Sequence, residues 1–375
     1  MSVGTDGQYL FQFSLGEDYD DFVNEEELKY FTLIEEAGNV LPTFELGFNT
    51  LDDKVFELLH EGSELKVTFG KDRNSLLDAA LKPARFRTAP LGQGKRSVTI
   101  VGLYSALGYL NNSEVFLSAK KSGIEVIRDI AKEYFKVEGN VTKSRDSQIW
   151  IQPNQSAKKF VDDIWLHSDL ADSFPAIAIS SDGKFIVKDI KSDLKNPYKW
   201  RFVKNGAESN DLDYDADFVV DTNTGLINSW VGYGREQLIY NMETNQDSVV
   251  MENTSPVVSL TSNFAQSDDV IKKFSSSALL TENMHENYHV SQAHNLASLA
   301  AFSNTKIYLS FHNSFVPIRV LDQVMFMDSD IGSGRRRASE FNSGIYYVSR
   351  VARSIESRQF TTIVELCRES LNSLK

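Results

Sequence analysis

The chain has 375 residues, 41% of them apolar and 24% charged, with a formal charge of −13. This length exceeds one ordinary core, so two or three domains are expected, and the composition is that of a folded protein, not a disordered one. The acidic balance excludes general adhesion to DNA, RNA or anionic lipid, although an acidic channel wall would let nucleic acid pass without sticking.

The first ~115 residues are rich in strand signals. Tyr9 to Leu15 reads as a short strand, followed by an acidic loop at Glu17–Asp21 and Glu25–Glu27. Leu28 to Ala37 and Leu41 to Phe48 form a strand pair across the Gly38-Asn39 turn. Asp53 to His60 reads as a helical turn or two, Glu61-Gly62-Ser63 as a turn, and Leu65 to Phe69, Ala84 to Thr88 and Ser97 to Leu103 as further strands. Strands at this spacing, joined by short turns, indicate an all-β barrel or sandwich.

The texture changes near Ser118. Ile124, Ile127, Ile130, Ala131 and Tyr134 recur at three- and four-residue steps, the face of a helix. Ser122 with Glu125 three residues on reads as a capping box. A second helix is expected from about Ser156 to Leu166 with Phe160, Val161, Ile164 and Trp165 inward. Ala176–Ile179, the Asp182-Gly183 turn and Phe185–Ile190 make a hairpin. Beyond Trp200, Asp217–Asp221 and Leu226–Tyr233 read as another hairpin around Asn223-Thr224-Gly225. Residues 241–280 are polar and weakly patterned and read as an excursion, and a helix is expected from about Thr281 to Ser303. Strands at Ile307–Phe311 and Val320–Met327 precede a closing hairpin, Gly344–Ile355 and Phe360–Arg368 across Glu356–Gln359. In that hairpin Ile345, Tyr347, Val351 and Ile355 recur at even spacing, broken once at Ser349, and Phe360, Thr362, Val364 and Leu366 answer them.

The fold class is therefore α+β and mostly β, with two similar antiparallel β-barrel domains around an α+β middle region. The expected organisation is a first barrel at residues 1–115, the middle domain at 116–196, the start of the second barrel at 197–240, an excursion with a helix at 241–303, and completion of that barrel at 304–375.

Four patterns bear on chemistry. His285-Glu286-Asn287-Tyr288-His289 matches the zinc-peptidase signature, in which two histidines one helical turn apart grip a metal and the glutamate activates water. A third ligand is missing: Gln292 and Asn295 stand where the extended motif needs glycine and histidine, and no glutamate occurs between Glu286 and Glu340. A polar helix face is the favoured reading, with a peptidase through His285, Glu286 and His289 as the rival. Gly92-Gln-Gly-Lys-Arg-Ser97 departs from a phosphate loop at Ala89 and Arg96 and reads as a hairpin loop. Asp211, Asp213, Asp215 and Asp217 alternate like a calcium loop but lack its glycine, which is Ala216, and its bidentate glutamate. Arg335, Arg336 and Arg337, in a glycine-rich loop of an acidic chain, are candidates for an inter-subunit ion pair. The single cysteine, Cys367, excludes an internal disulfide and a cysteine zinc site, suits a reducing cytoplasm, and reads as a small strand residue. With no basic-then-apolar leader and no run of about eighteen apolar residues, neither secretion nor a membrane anchor is expected. No cofactor is implied.

The order of elements resembles the central baseplate hub protein of contractile-tailed bacteriophages, a fold that also forms the base of type VI secretion spikes. The segments that carry the resemblance are Leu28–Glu35 with Leu41–Phe48, Glu61–Gly70, Ser122–Ala131, Ser156–Phe160 through Ile190, and Gly344–Val348 with Phe360–Leu366. The resemblance implies a non-enzymatic homotrimer. Two similar barrels per subunit would let three copies form a pseudo-sixfold ring, matching a six-fold tail tube on one side and a threefold central spike on the other. It implies as partners the tail tube protein, the central spike protein and the tape measure and baseplate wedge proteins, with DNA only in transit. Its place would be the virion tail baseplate, assembled in the host cytoplasm.

Overall fold

The computed structural model describes all residues except 1–9, 16–26, 52, 60–62, 71–75, 119, 205, 207, 216–217, 223–233, 254–273, 282, 331–336, 339–341, 358 and 370–375. The chain opens with β1 (Leu10–Leu15), β2 (Leu28–Glu36), β3 (Thr43–Thr50), α1 (Lys54–Leu58), β4 (Leu65–Gly70), β5 (Leu76–Gly92) and β6 (Lys95–Tyr104). The middle region follows with α2 (Leu107–Asn111), β7 (Ser113–Leu117), α3 (Gly123–Ala131), β8 (Lys136–Glu138), β9 (Ile151–Ser156), α4 (Ala157–His167), β10 (Pro175–Ile179), β11 (Lys184–Asp189) and α5 (Ile190–Asp193). Then come β12 (Trp200–Phe202), β13 (Asp211–Leu212), β14 (Phe218–Thr222), β15 (Gly234–Asn241), β16 (Gln246–Asn253), β17 (Phe274–Leu280) and α6 (Tyr288–Phe302). The chain closes with β18 (Thr305–His312), β19 (Gln323–Phe326), β20 (Ser329–Asp330), β21 (Arg337–Ala338), β22 (Gly344–Glu356) and β23 (Gln359–Arg368).

The architecture is mostly β, as the patterning implies. Two β lobes are fused edge to edge in one 13-stranded sheet, ordered β1-β4-β5-β6-β3-β2-β22-β19-β12-β13, with β23, β18 and β14 branching from β22. Among the described residues no ladder pairs the end strands, so strand pairing does not by itself close either lobe. The first lobe surrounds an aromatic core in which the Phe31 ring lies 5.3 Å from Phe11 and 4.9 Å from Phe69. The second lobe packs Phe202, Phe311, Phe326, Tyr346 and Tyr347. The closing hairpin is shared: Tyr347, Val351 and Val364 belong to the second core, and Ile355 and Phe360 at its tip to the first. The break at Ser349 is a β-bulge between Val348 and Arg350, which resets the inward register so that Val351, Arg353 and Ile355 face in.

A third core fills the middle region. The capping box at Ser122 and Glu125 is present, and α3 buries Ile124, Ile127, Ile130 and Ala131 as its period requires. The β10–β11 hairpin lies between two cores: Ile177, Ile179, Phe185 and Val187 face the middle core, while Ala176, Ala178 and Ile186 face the second lobe. Burial on both faces explains its uninterrupted apolar run.

Three expectations need correction. The helix expected from Thr281 begins at Tyr288, with Asn287 as its N-cap. The partner arm expected at Leu226–Tyr233 lies outside the described residues, and Phe218–Thr222 pairs instead with β18. Residues 241–280 are not only an excursion: β15, β16 and β17 form a separate three-stranded sheet. Its strands leave Leu238 and Val249 about half exposed, so little apolar periodicity marked them. No helix among the described residues is long and apolar enough to cross a membrane.

Candidate functional site: the joint between the lobes

The two lobes meet where β2 runs antiparallel to β22, from Tyr30 opposite Glu356 to Glu36 opposite Arg350. Leu33 opposes Arg353 and Glu35 opposes Val351, so Glu35 and Arg353 are diagonal neighbours on one face. That face is buried, and each of the two side chains is 4% exposed. Arg353 Nη1 donates to Glu35 Oε2 at 2.8 Å, and Arg353 Nη2 donates to the Ile318 carbonyl at 2.6 Å. The other carboxylate oxygen accepts the Ser181 backbone N–H at 2.6 Å. One ion pair thus ties the first lobe, the second lobe and the β10–β11 turn. Arg353 Nε is buried with no acceptor among the described residues, so the guanidinium is not fully satisfied.

The backbone completes the junction. Just past β2, the Ala37 N–H donates to the Ser349 carbonyl at the bulge, and the Gly38 N–H donates to the Ile177 carbonyl of β10. Gly38 takes a φ of +116°, a conformation that favours glycine, so the predicted turn is also the contact with the middle region. Beside this joint lies a cleft of about 530 Å³ whose walls include Glu36, Trp165, Phe302, Lys306, Arg350 and Cys367. Lys306 Nζ pairs with Glu365 Oε1 at 2.9 Å, and Ser349 Oγ donates to the same oxygen at 2.7 Å. Cys367 is buried, and burial pushes its thiol well above the ordinary range, so it is a packing residue and not a nucleophile.

The zinc signature dissolves in the fold. His285 lies before α6, so it and His289 do not share a helical face one turn apart. His285 Nε2 donates to the His167 carbonyl at 3.0 Å, so that nitrogen carries a proton and offers no lone pair to a metal. No cluster of three or more metal-ligating side chains occurs among the described residues. What the segment builds is a clasp between α4 and α6. His167 Nδ1 donates to the Tyr288 carbonyl at 3.1 Å, and its ring stacks on the Tyr288 ring with centroids 3.6 Å apart. Asn295, fully buried, turns its two amide hydrogens to the carbonyls of Trp165, Leu166 and Ser168 at 3.1, 3.2 and 2.8 Å, one hydrogen being shared between two of them. It adds a donor to carbonyls at the C-terminal end of α4, of which the Trp165 carbonyl also accepts the Ser168 N–H. Burial lowers the His167 pKa to about 4 and lowers that of His285 as well.

The other candidates also take structural partners. Arg201 grips both Asp211 oxygens at 2.6 and 2.9 Å. Asp213 accepts the Gly206 N–H, and Asp215 holds the His312 backbone and ring, so these aspartates do not converge on a cation. Asp217 lies outside the described residues. The Gly92–Ser97 loop is a two-residue hairpin turn with Gln93 and Gly94 both at positive φ, as a type I′ turn requires. Arg335 and Arg336 lie outside the described residues, and Arg337 is described only as backbone, in a short ribbon opposite Asp330. The Glu35–Arg353 pair does not figure in the sequence reading, and Asn295 figures there only as a residue that breaks the extended zinc motif. Their only signal is a polar residue at an inward position of an apolar period.

The fold is shared with phage tail proteins. A tail protein from Neisseria meningitidis MC58 superposes with a TM-score of 0.57 at 9% identity, covering 96% of this chain and 97% of its own. The 43 kDa tail protein of prophage MuSo2 from Shewanella oneidensis gives 0.56 at 8% identity, covering 96% of each chain. A chain of the half-lidded Francisella PdpA–VgrG complex gives 0.52 at 10% identity, covering 98% of this chain and 59% of that one. No family model matches the sequence, and no curated protein does. The resemblance read from the order of elements is therefore established as one of fold.

Proposed function

We propose that this chain is a structural hub of a contractile phage tail, acting as adaptor and conduit and not as an enzyme. The observation that carries this reading is the end-to-end likeness of fold to phage tail proteins at nearly equal length. In this reading three copies form a ring, and each contributes both β lobes to a pseudo-sixfold surface that meets the tail tube, while the threefold axis meets the central spike. The continuous sheet through β2 and β22 supports it, because an adaptor must hold its two lobes at a fixed spacing. The net charge of −13 supports a lumen through which DNA passes without binding. The tape measure and baseplate wedge proteins are the further partners proposed, and the virion tail, assembled in host cytoplasm, the location.

Likeness to the Francisella PdpA–VgrG chain favours a second reading, the base of a spike in a related injection system. Native mass spectrometry with negative-stain imaging tests both. The expected result is three copies in a ring that binds a spike protein on its threefold axis. A chain that stays monomeric at high concentration, with spike protein present, would overturn the ring. Recovery of the chain from DNA-filled virions selects the phage hub over the spike base.

A further inference from the structure

The hairpin of β5 and β6 does not end where the lobe ends. Residues 84–94 are exposed without interruption, although β6 remains paired to β3 as far as Arg96 opposite Thr50. β4 covers the other edge of β5 only from Leu76 to Leu81. From Arg85 to Gly92, β5 pairs with β6 alone among the described residues. Its charge is also out of character. No carboxylate occurs between Asp78 and Glu114, whereas Arg85, Arg87, Lys95 and Arg96 stand in this stretch of a chain that carries 52 carboxylates elsewhere. Arg96 pairs with Asp53, and no carboxylate pairs with Arg85 or Arg87 among the described residues. Directly paired residues share a face, which places Arg85 with the exposed Val101; Phe86 and Leu91 are 44% and 52% exposed.

An open strand edge invites an added strand, and proteins that reject one place proline and charge along it. Here Pro83 and Pro90 and the two bulges beside them bracket the edge, leaving Arg85 to Ala89 between them able to pair. The sheet has a second open edge at its far branch. β14 pairs only with β18 among the described residues and exposes Val219 (61%) and Asp221, with Asp215 just before it. One edge is basic and the other acidic, both in the same chain.

We infer that the basic arm of one copy docks on the acidic β14 edge of a second copy, adding its strand Arg85–Ala89 beside Phe218–Thr222. This rests on the ring reading and names its contact. Joining different edges of identical chains is a head-to-tail contact, which closes into a ring if the rotation allows. Arg85 and Arg87 would share the outer face with Val219 and Asp221, and Phe86, on the opposite face of its strand, would lie beside Val220.

The test uses the full chain. Cys367 is buried, so Ala89→Cys, on the face of Arg85 and Arg87, and Val219→Cys each add one accessible thiol. Mixed under mild oxidation, the two variants should form disulfide-linked heterodimers within the trimer. Arg85→Glu with Arg87→Glu should weaken assembly about tenfold or more without lowering thermal stability, and Asp221→Arg should restore part of it. If the unmodified chain is a trimer but neither cross-link nor weakening appears, this contact is wrong and the ring stands. If the unmodified chain is monomeric throughout, the ring falls and the contact with it. If the charge reversal leaves assembly intact and instead abolishes binding to duplex DNA or RNA, the arm is a nucleic-acid contact and the inference is overturned.

Discussion

Two Glu–Arg pairs cross the same strands of the lobe joint and do opposite work. On the inner face Glu35 and Arg353 are buried; on the outer face Glu36 and Arg350, direct partners in the ladder, are 48% and 40% exposed. The outer Nε–Oε1 distance is 3.0 Å, but the N–H is not aligned as a hydrogen bond. The inner pair adds the Ser181 N–H and the Ile318 carbonyl, so each charge is held by more than its partner. The difference lies in desolvation. Water screens the outer pair and makes it nearly neutral for stability. The inner pair has given up its water, so losing either member strands a charge.

The largest effect therefore belongs to the inner pair. Arg353→Met should destabilise the fold by about 3–5 kcal/mol in denaturant unfolding, because Glu35 is left buried and unpaired. The double variant Glu35→Leu with Arg353→Met should recover most of that loss, since the unsatisfied Nε disappears along with both charges. A double variant as unstable as the single one would mean that the hydrogen bonds to Ser181 and Ile318, not desolvation, dominate the joint. The next effect belongs to a buried polar group without charge. Asn295→Ala should cost about 1–3 kcal/mol, because the Leu166 and Ser168 carbonyls lose this donor, while the Trp165 carbonyl keeps the Ser168 N–H. If it matched Arg353→Met, charge would not be what sets the inner pair apart.

These sites also mark where the sequence could be read. The closing hairpin, the capped α3 and the β10–β11 hairpin follow from period and turn chemistry, which are local. Glu35, Arg353 and Asn295 are polar residues at inward positions, and their partners lie far along the chain. Arg353 interrupts an apolar period beside Val351 and Ile355, so it passes for a solvent-facing residue until β2 brings Glu35 to it. His285 misled in the other direction: its spacing to His289 fits a helix that starts three residues too late to include it. The small β15–β17 sheet escaped because Leu238 and Val249, about half exposed, leave little alternation to read.

Acid offers a third comparison, because the α4–α6 clasp is neutral only while its histidines stay unprotonated. Burial is the main cause of the low His167 pKa, with His289 and His285 facing it and adding to the effect. In the unfolded chain the imidazole takes a proton near pH 6.5, whereas the folded site resists down to about 4. The clasp's contribution is therefore complete above pH 6.5 and falls as pH drops towards 4, amounting to roughly 2 kcal/mol lost by pH 5. His167→Phe keeps a ring on Tyr288 and removes this titration. Its thermal midpoint, lower at neutral pH, should decline less steeply between pH 7 and 5 than that of the unmodified chain. Parallel declines would assign the acid sensitivity elsewhere.

The outer pair should show the smallest effect, and its size is the cleanest check on the role of burial. Arg350→Met removes the same chemical group from the same strand as Arg353→Met, three residues away. It leaves Glu36 in water, where a lone carboxylate costs nothing, so the expected loss is below about 1 kcal/mol. About 0.5 M salt should erase most of even that, because the Debye length then falls to a few ångströms. The Arg353 variant should keep its deficit in the same buffer. Unfolding curves for the two variants at low and high salt form a four-point comparison on one β ladder. A salt-independent loss above 2 kcal/mol for Arg350→Met would mean that the cleft beside Glu36 excludes water as thoroughly as the core does, and the distinction between the two faces of the joint would fail.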